Sequence, residues 1–171
     1  MKKTKKNLPA YTLIEALITV AIISIVTAVL ISNYTNSRIT QQLESSAREV
    51  EAAVREIQSY ALTGYQDRPN TDPCRFEIKW TASSPVYTLN YFYKDTNDAC
   101  NPSQTLATYS LRNGVTFSTS GNFSFAPPWG VPSFSGNNQP IVLTLSGSSH
   151  AVCVYQSGLI NNLAGSSCPT L

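Results

Sequence analysis

Hydrophobic positions change their pattern twice along the chain. Residues 11 to 31, YTLIEALITVAIISIVTAVLI, are apolar on every side of a helix, and Glu15 is the one charged side chain among the 21. At about 1.5 Å per residue the run covers roughly 30 Å, which predicts a transmembrane helix. Beyond Ser32 the apolar residues thin to a stripe, Ile39, Leu43, Ala47, Val50, Val54, Ile57 and Ala61, with the three- and four-residue spacing of an amphipathic helix. Arg38, Glu44, Arg48, Glu49, Glu51, Arg55 and Glu56 occupy the positions between, with Glu51 and Arg55 in the favourable i,i+4 order. One helix from about residue 12 to 61 is expected, roughly 75 Å long. Residues 11 to 61 hold no Pro or Gly, the usual causes of a kink. A coiled coil competes for the second half, but the stripe is short and a domain comes directly after it, so packing within the chain is favoured.

Gly64, Pro69, Asn70, Asp72 and Pro73 mark a break. After it the alternation has period two, and strands are expected at 74–81, 86–93, 105–111, 115–119, 122–126, 141–146 and 150–156. Their β-branched and aromatic content, with turns such as Asn113-Gly114, predicts antiparallel sheet. Phe76, Ile78 and Trp80 share one strand face, and Leu89, Tyr91 and Tyr93 another, so these faces should supply core. Residues 120 to 140 read as hairpin material followed by a long surface loop carrying Phe123, Phe125, Trp129 and Phe134. Those aromatics form a candidate binding loop; the competing reading tucks Phe125 and Trp129 underneath as anchors.

Composition narrows the chemistry. The 171 residues carry 12 Lys plus Arg against 10 Asp plus Glu, but Lys2, Lys3, Lys5 and Lys6 crowd the first six positions, ahead of the apolar run. Such a head favours the cytoplasmic side, with export of the residues beyond the apolar run. No basic residue lies beyond Arg112, so direct nucleic-acid binding is disfavoured for want of a clustered positive patch. Cys74, Cys100, Cys153 and Cys168 all lie beyond the helix and allow three pairings, as expected of an exported domain. Cys74 with Cys100 and Cys153 with Cys168 is preferred because each closes a local loop. No Cys-x-x-Cys pair and a single His150 leave no zinc pattern. Neither a nucleophile elbow nor a phosphate-binding glycine loop appears, so no catalytic residue, metal or cofactor is assigned and an enzyme is not expected.

The lysine head, Ala10-Tyr11-Thr12-Leu13-Ile14-Glu15 and the apolar run closely resemble the class III signal of type IV prepilins and type II secretion pseudopilins. The resemblance implies cleavage after Ala10 by a prepilin peptidase, N-methylation of Tyr11, and assembly into a helical filament. Ala10 and Tyr11 stand where the family usually has Gly and Phe. The matching glutamate, Glu15, would pair with the terminal amine of a neighbouring subunit during assembly. A Glu that simply reaches back to water, or a signal-anchor helix, is the plainer reading. Asn113-Gly114-Val115-Thr116-Phe117, Phe125 to Gly130, Ile141-Val142-Leu143, Val152-Cys153-Val154 and Gly158-Leu159-Ile160 resemble, less specifically, H-type minor pseudopilins and T-type fimbrial minor pilins. Relatives often place Arg after the late glycine and some T-type members bind DNA there; this chain has Leu159.

The expected fold class is α+β, pilin-like, with a long N-terminal helix against an antiparallel sheet. Residues 1–10 would be a cleaved leader, 11–31 the transmembrane half of the helix, 32–61 the amphipathic half, and 62–171 an exported β-rich domain. The resemblance implies a minor subunit held singly across the bacterial inner membrane, in contact with membrane lipid before assembly, and afterwards in a pilus or pseudopilus. Implied partners are the prepilin peptidase, other pilin or pseudopilin subunits and an inner-membrane assembly platform. The alternative is a membrane-anchored, non-polymerising adhesin or ligand-binding module.

Overall fold

A computed structural model describes residues 12–66, 72–101 and 103–170, without the side chains of Val29, Leu30, Ser32 and Asn33. The leader with Ala10 and Tyr11 lies outside the described residues, as do Arg68, Pro69 and Asn70. The chain divides into two compact units, Met1–Arg38 and Ile39–Leu171.

Helix α1 runs Leu13–Thr63, and local chemistry defines both ends. Thr12 is the N-cap: the amides of Glu15 and Ala16 donate to its carbonyl at 3.1 and 3.2 Å, and Glu15 N–H also reaches the Thr12 hydroxyl at 3.4 Å. Thr-x-x-Glu is the capping-box pattern. At the other end Gly64 takes φ +63°, and Tyr65 N–H returns to the Tyr60 carbonyl at 3.0 Å. This is a Schellman closure, completed by the Tyr60 and Tyr65 rings stacked 4.6 Å apart.

The expected transmembrane half, and with it the single-pass inner-membrane location, is corrected. Among the described residues no helix is long and apolar enough to cross a membrane.

In the second unit, Leu43, Ala47, Val50, Val54, Ile57 and Ala61 are buried as the stripe requires, and Ser46 and Ala53 widen it. The described residues beyond the helix form nine strands: β1 Pro73–Trp80, β2 Val86–Tyr93, β3 Ser103–Ser110, β4 Thr116–Phe117, β5 Gly121–Ala126, β6 Val131–Ser133, β7 Asn138–Leu145, β8 Ser148–Tyr155 and β9 Ile160–Ala164. They make two antiparallel sheets, ordered β3-β2-β1-β5-β6 and β4-β7-β8-β9. The helix stripe, Phe76, Ile78, Trp80, Tyr87, Leu89 and Tyr91 of the first sheet, and Ile141, Leu143, Val152 and Val154 of the second make one core. Tyr93, on the same face as Leu89 and Tyr91, is half-buried at its edge.

The strand expected at 122–126 is β5, but the long loop expected after it is replaced by β6, which pairs with β5 from Ser124–Ser133 to Ala126–Val131 around a four-residue turn, and by the start of β7 at Asn138. Strand β9 was not expected either, because Asn161 and Asn162 weaken its β pattern. Alternation along β7 and β8 gives the second sheet two dry faces. Ile141 and Leu143 face the helix side, while Val142, Ala151, Cys153 and Tyr155 cluster on the other with Leu163 and Cys168. The C-terminal segment covers that second face, tied by the Cys153–Cys168 disulfide and by Asn138 donating to the Pro169 carbonyl at 3.2 Å. The second disulfide joins Cys74 to Cys100.

Candidate functional site

The first unit offers the most distinctive surface. Leu13, Ile14, Leu17, Ile18, Val20 and Ile22 are each at least 55 % exposed, and Ile23, Ile25, Val26 and Ile31 continue the series. Its hydroxyls do not interrupt it. Thr19 donates to the Ala16 carbonyl at 2.8 Å, Ser24 to Val20 at 2.8 Å, and Thr27 to Ile23 at 2.7 Å. Each of these hydroxyls is satisfied by the helix's own backbone, so the exposed surface from Ala16 to Ala28 carries no charged side chain and no free hydroxyl donor. A helix of this kind is stable when other apolar groups cover it.

Glu15 is exposed in the first turn of this helix. Its position after Thr12 gives it a local task, placing a carboxylate among the unpaired N–H groups of a helix start. Thr12-x-x-Glu15 has the spacing of a capping box, of which the structure shows the Glu15 N–H to Thr12 hydroxyl half, and this helix-start role is a second reason for a glutamate at this place.

The aromatic quartet separates. Phe123, Phe125 and Phe134 meet edge to face, with centroids 5.6 and 6.0 Å apart about Phe123. Phe123 and Phe125 are strand residues buried in the core and Phe134 packs on its edge. Trp129, in the turn between β5 and β6, is 76 % exposed, close in sequence to exposed Val131. It does not anchor the turn; Gly130 sits against Leu62, and Gln58 donates to the carbonyls of Gly130 and Gly158 at 3.4 and 3.3 Å.

A row of helix side chains therefore binds late loops and strands. Arg55 donates to the Ile160 carbonyl at 3.1 Å and to Glu51 at 2.7 Å, and Asn162 donates to Glu51 at 2.6 Å. One turn further, Glu56 accepts the hydroxyls of Tyr60 at 2.7 Å and Tyr109 at 3.2 Å. That hydrogen bond, with burial and the carboxylate's charge, pushes the Tyr60 hydroxyl up to about 12. Burial and Glu56 raise Tyr109, and burial, helped by Glu49, raises Tyr87. Lys94, held by Asp98 at 2.9 Å and Asp72 at 3.5 Å, is also raised, chiefly by its hydrogen bond to Asp98. Among the described residues no cluster of His, Cys, Asp and Glu could hold a metal ion.

The structure thus gives a compact α+β domain whose helix packs on antiparallel sheet, joined to an unpartnered apolar helix segment. No family model, no curated protein and no solved structure matches this chain.

Proposed function

We propose that this chain is a non-catalytic structural subunit of a pilus or pseudopilus, assembled by packing the apolar segment 13–31 of many copies together. The observation that carries the proposal is the exposure of the described apolar side chains of that segment, with its hydroxyls closed on its own backbone. Burying one such Leu or Ile side chain is favourable by about 1.5–3 kcal/mol, so the many exposed apolar side chains of the segment acting together can outweigh the roughly 4–15 kcal/mol cost of association. Heads built from residues 39–171 would then cover the outside. Maturation by a prepilin peptidase between Ala10 and Tyr11, and recruitment by an assembly platform, belong to the same proposal.

Intact-mass measurement of the chain in sheared filaments tests it. A species starting at Tyr11 with one added methyl supports the reading; a chain absent from filaments overturns it. Exposed Trp129, with exposed Val131 two residues on, favours a second reading, a non-polymerising binding module. Under that reading Trp129→Ala abolishes function and segment 13–31 tolerates charge.

A further inference from the structure

A groove of about 200 Å³ lies in the head, walled by Glu49, Ala52, Ala53 and Glu56 of α1 and by Tyr87 and Tyr109 of β2 and β3. We propose that this groove is a receptor for an arginine guanidinium of a second copy of the chain, an inference that rests on the filament reading above.

The first reason is charge. The arginines nearest in sequence are already engaged, Arg48 with Glu44 at 2.6 Å and Arg55 with Glu51 at 2.7 Å. Among the described residues neither Glu49 nor Glu56 has a cationic partner. Glu56 receives only the two tyrosine hydroxyls among those residues. The negative field is felt locally: Glu49 and Glu56 both help to raise the hydroxyls of Tyr87 and Tyr109.

The second reason is an unmet hydrogen bond. Tyr87 is 1 % exposed and its hydroxyl has no partner among the described residues. A buried hydroxyl left unpaired is costly, and Tyr87 is one of the residues lining the groove, so a donor seated there would gain a partner if a small side-chain shift uncovered that oxygen.

The third reason is shape. Tyr87 is buried between Tyr109, stacked at 5.3 Å, and Phe117, so the half-buried Tyr109 ring is the aromatic surface offered to a planar cation, and Ala52 and Ala53 keep the helix side low. A guanidinium fits this mixture of carboxylate and aromatic face better than the compact, strongly hydrated ammonium of lysine. The chain supplies complementary groups: Arg38 and Arg112 are exposed, and among the described residues neither is in an ion pair.

Benzoylphenylalanine placed at Ala52 of the full chain, in filaments grown from mixed isotopically labelled and unlabelled copies, tests the assignment. The expected result is an intermolecular crosslink to the peptide carrying Arg38 or Arg112. Its yield should fall about threefold in Glu49→Gln, and likewise in the matching Arg→Gln variant. Glu49 is exposed, so the head should keep its circular dichroism. The same probe at Ile18 reports assembly separately. Ile18 crosslinks between copies, with Ala52 captured only within its own copy, by another protein or independently of Glu49, would overturn the groove and leave the filament standing. Loss of intermolecular crosslinks at both positions would overturn both.

Discussion

Asn162 of β9 donates a 2.6 Å hydrogen bond to Glu51 of α1, joining residues 111 apart in sequence. Glu51 is also the acceptor for Arg55, whose guanidinium continues to the Ile160 carbonyl, so one carboxylate holds the last strand to the helix. Its side chain is only 19 % exposed. Glu51→Ala should therefore destabilise the head by about 1–3 kcal/mol, and Asn162→Ala by about 1 kcal/mol, because the partners left behind are partly desolvated. Urea unfolding of both variants and the double variant checks this; strictly additive losses would mean the pair is not coupled.

The Cys153–Cys168 bridge closes a sequence separation of 15 and pins the segment that covers Val142, Ala151 and Tyr155. Its removal by Cys153→Ser with Cys168→Ser should cost about 2–4 kcal/mol. The released tail should become a preferred site of limited proteolysis, with cleavage beyond Ala164 preceding any cut in β8. Simultaneous cleavage throughout the head would show that the bridge holds the whole domain rather than its cover.

Alkaline pH should weaken the head through its tyrosines. Tyr60 holds its proton to about 12 in the folded chain against 10.0 when unperturbed, while Tyr87 and Tyr109 are raised as well. The native state binds these protons more tightly than the unfolded chain. Their contribution is complete below about pH 10 and is lost as pH rises through the folded values. Melting temperatures between about pH 9 and 12 should fall, and Tyr60→Phe should make the fall shallower. A Tyr60→Phe profile parallel to that of the unsubstituted chain would contradict the assignment to this hydroxyl.

Gly121 opens β5 against the indole of Trp80, and a Cβ built there lies 2.5 Å from Trp80 Cζ2. Trp80 is 2 % exposed and packs on Phe117 and Phe123, so it has little room to move. Gly121→Ala should cost about 1–3 kcal/mol by overpacking and should alter near-ultraviolet circular dichroism. An unchanged spectrum and midpoint would mean that the β1–β5 contact is looser than described.

Sequence periodicity was a good guide wherever one residue face did one job. The helix stripe from Leu43 to Ala61 is buried because its spacing matches 3.6 residues per turn, and Phe76, Ile78 and Trp80 are buried because alternation in β1 is strict. Legibility failed where tertiary partners overrode local preference. Asn162 is a poor strand former that β9 keeps for its bond to Glu51. Phe123 and Phe125 lie in the strand expected at 122–126 and alternate inward along β5, so only the reading of them as a binding surface failed, while Trp129 is left outside by the turn. The apolar run read as a membrane span, which the described helix does not support. The groove between Glu49, Glu56, Tyr87 and Tyr109 joins a helix to strands far along the chain, and no local spacing announces it.

Under the proposed function, segment 13–31 assembles copies into a filament. Recovery of the chain in sheared filaments, compared between the unsubstituted protein, Ile18→Asp and Glu15→Gln, tests it most directly. Glu15→Gln keeps a capping residue after Thr12 while removing the charge. The account predicts that Ile18→Asp lowers recovery at least about tenfold, since an unpaired carboxylate would enter an apolar interface, with the head still folded and disulfide-bonded. A reduced recovery of Glu15→Gln would assign its charge to assembly, and unchanged recovery would leave it as a helix cap. Full recovery of Ile18→Asp in filaments, or no recovery of the unsubstituted chain, would contradict the claim.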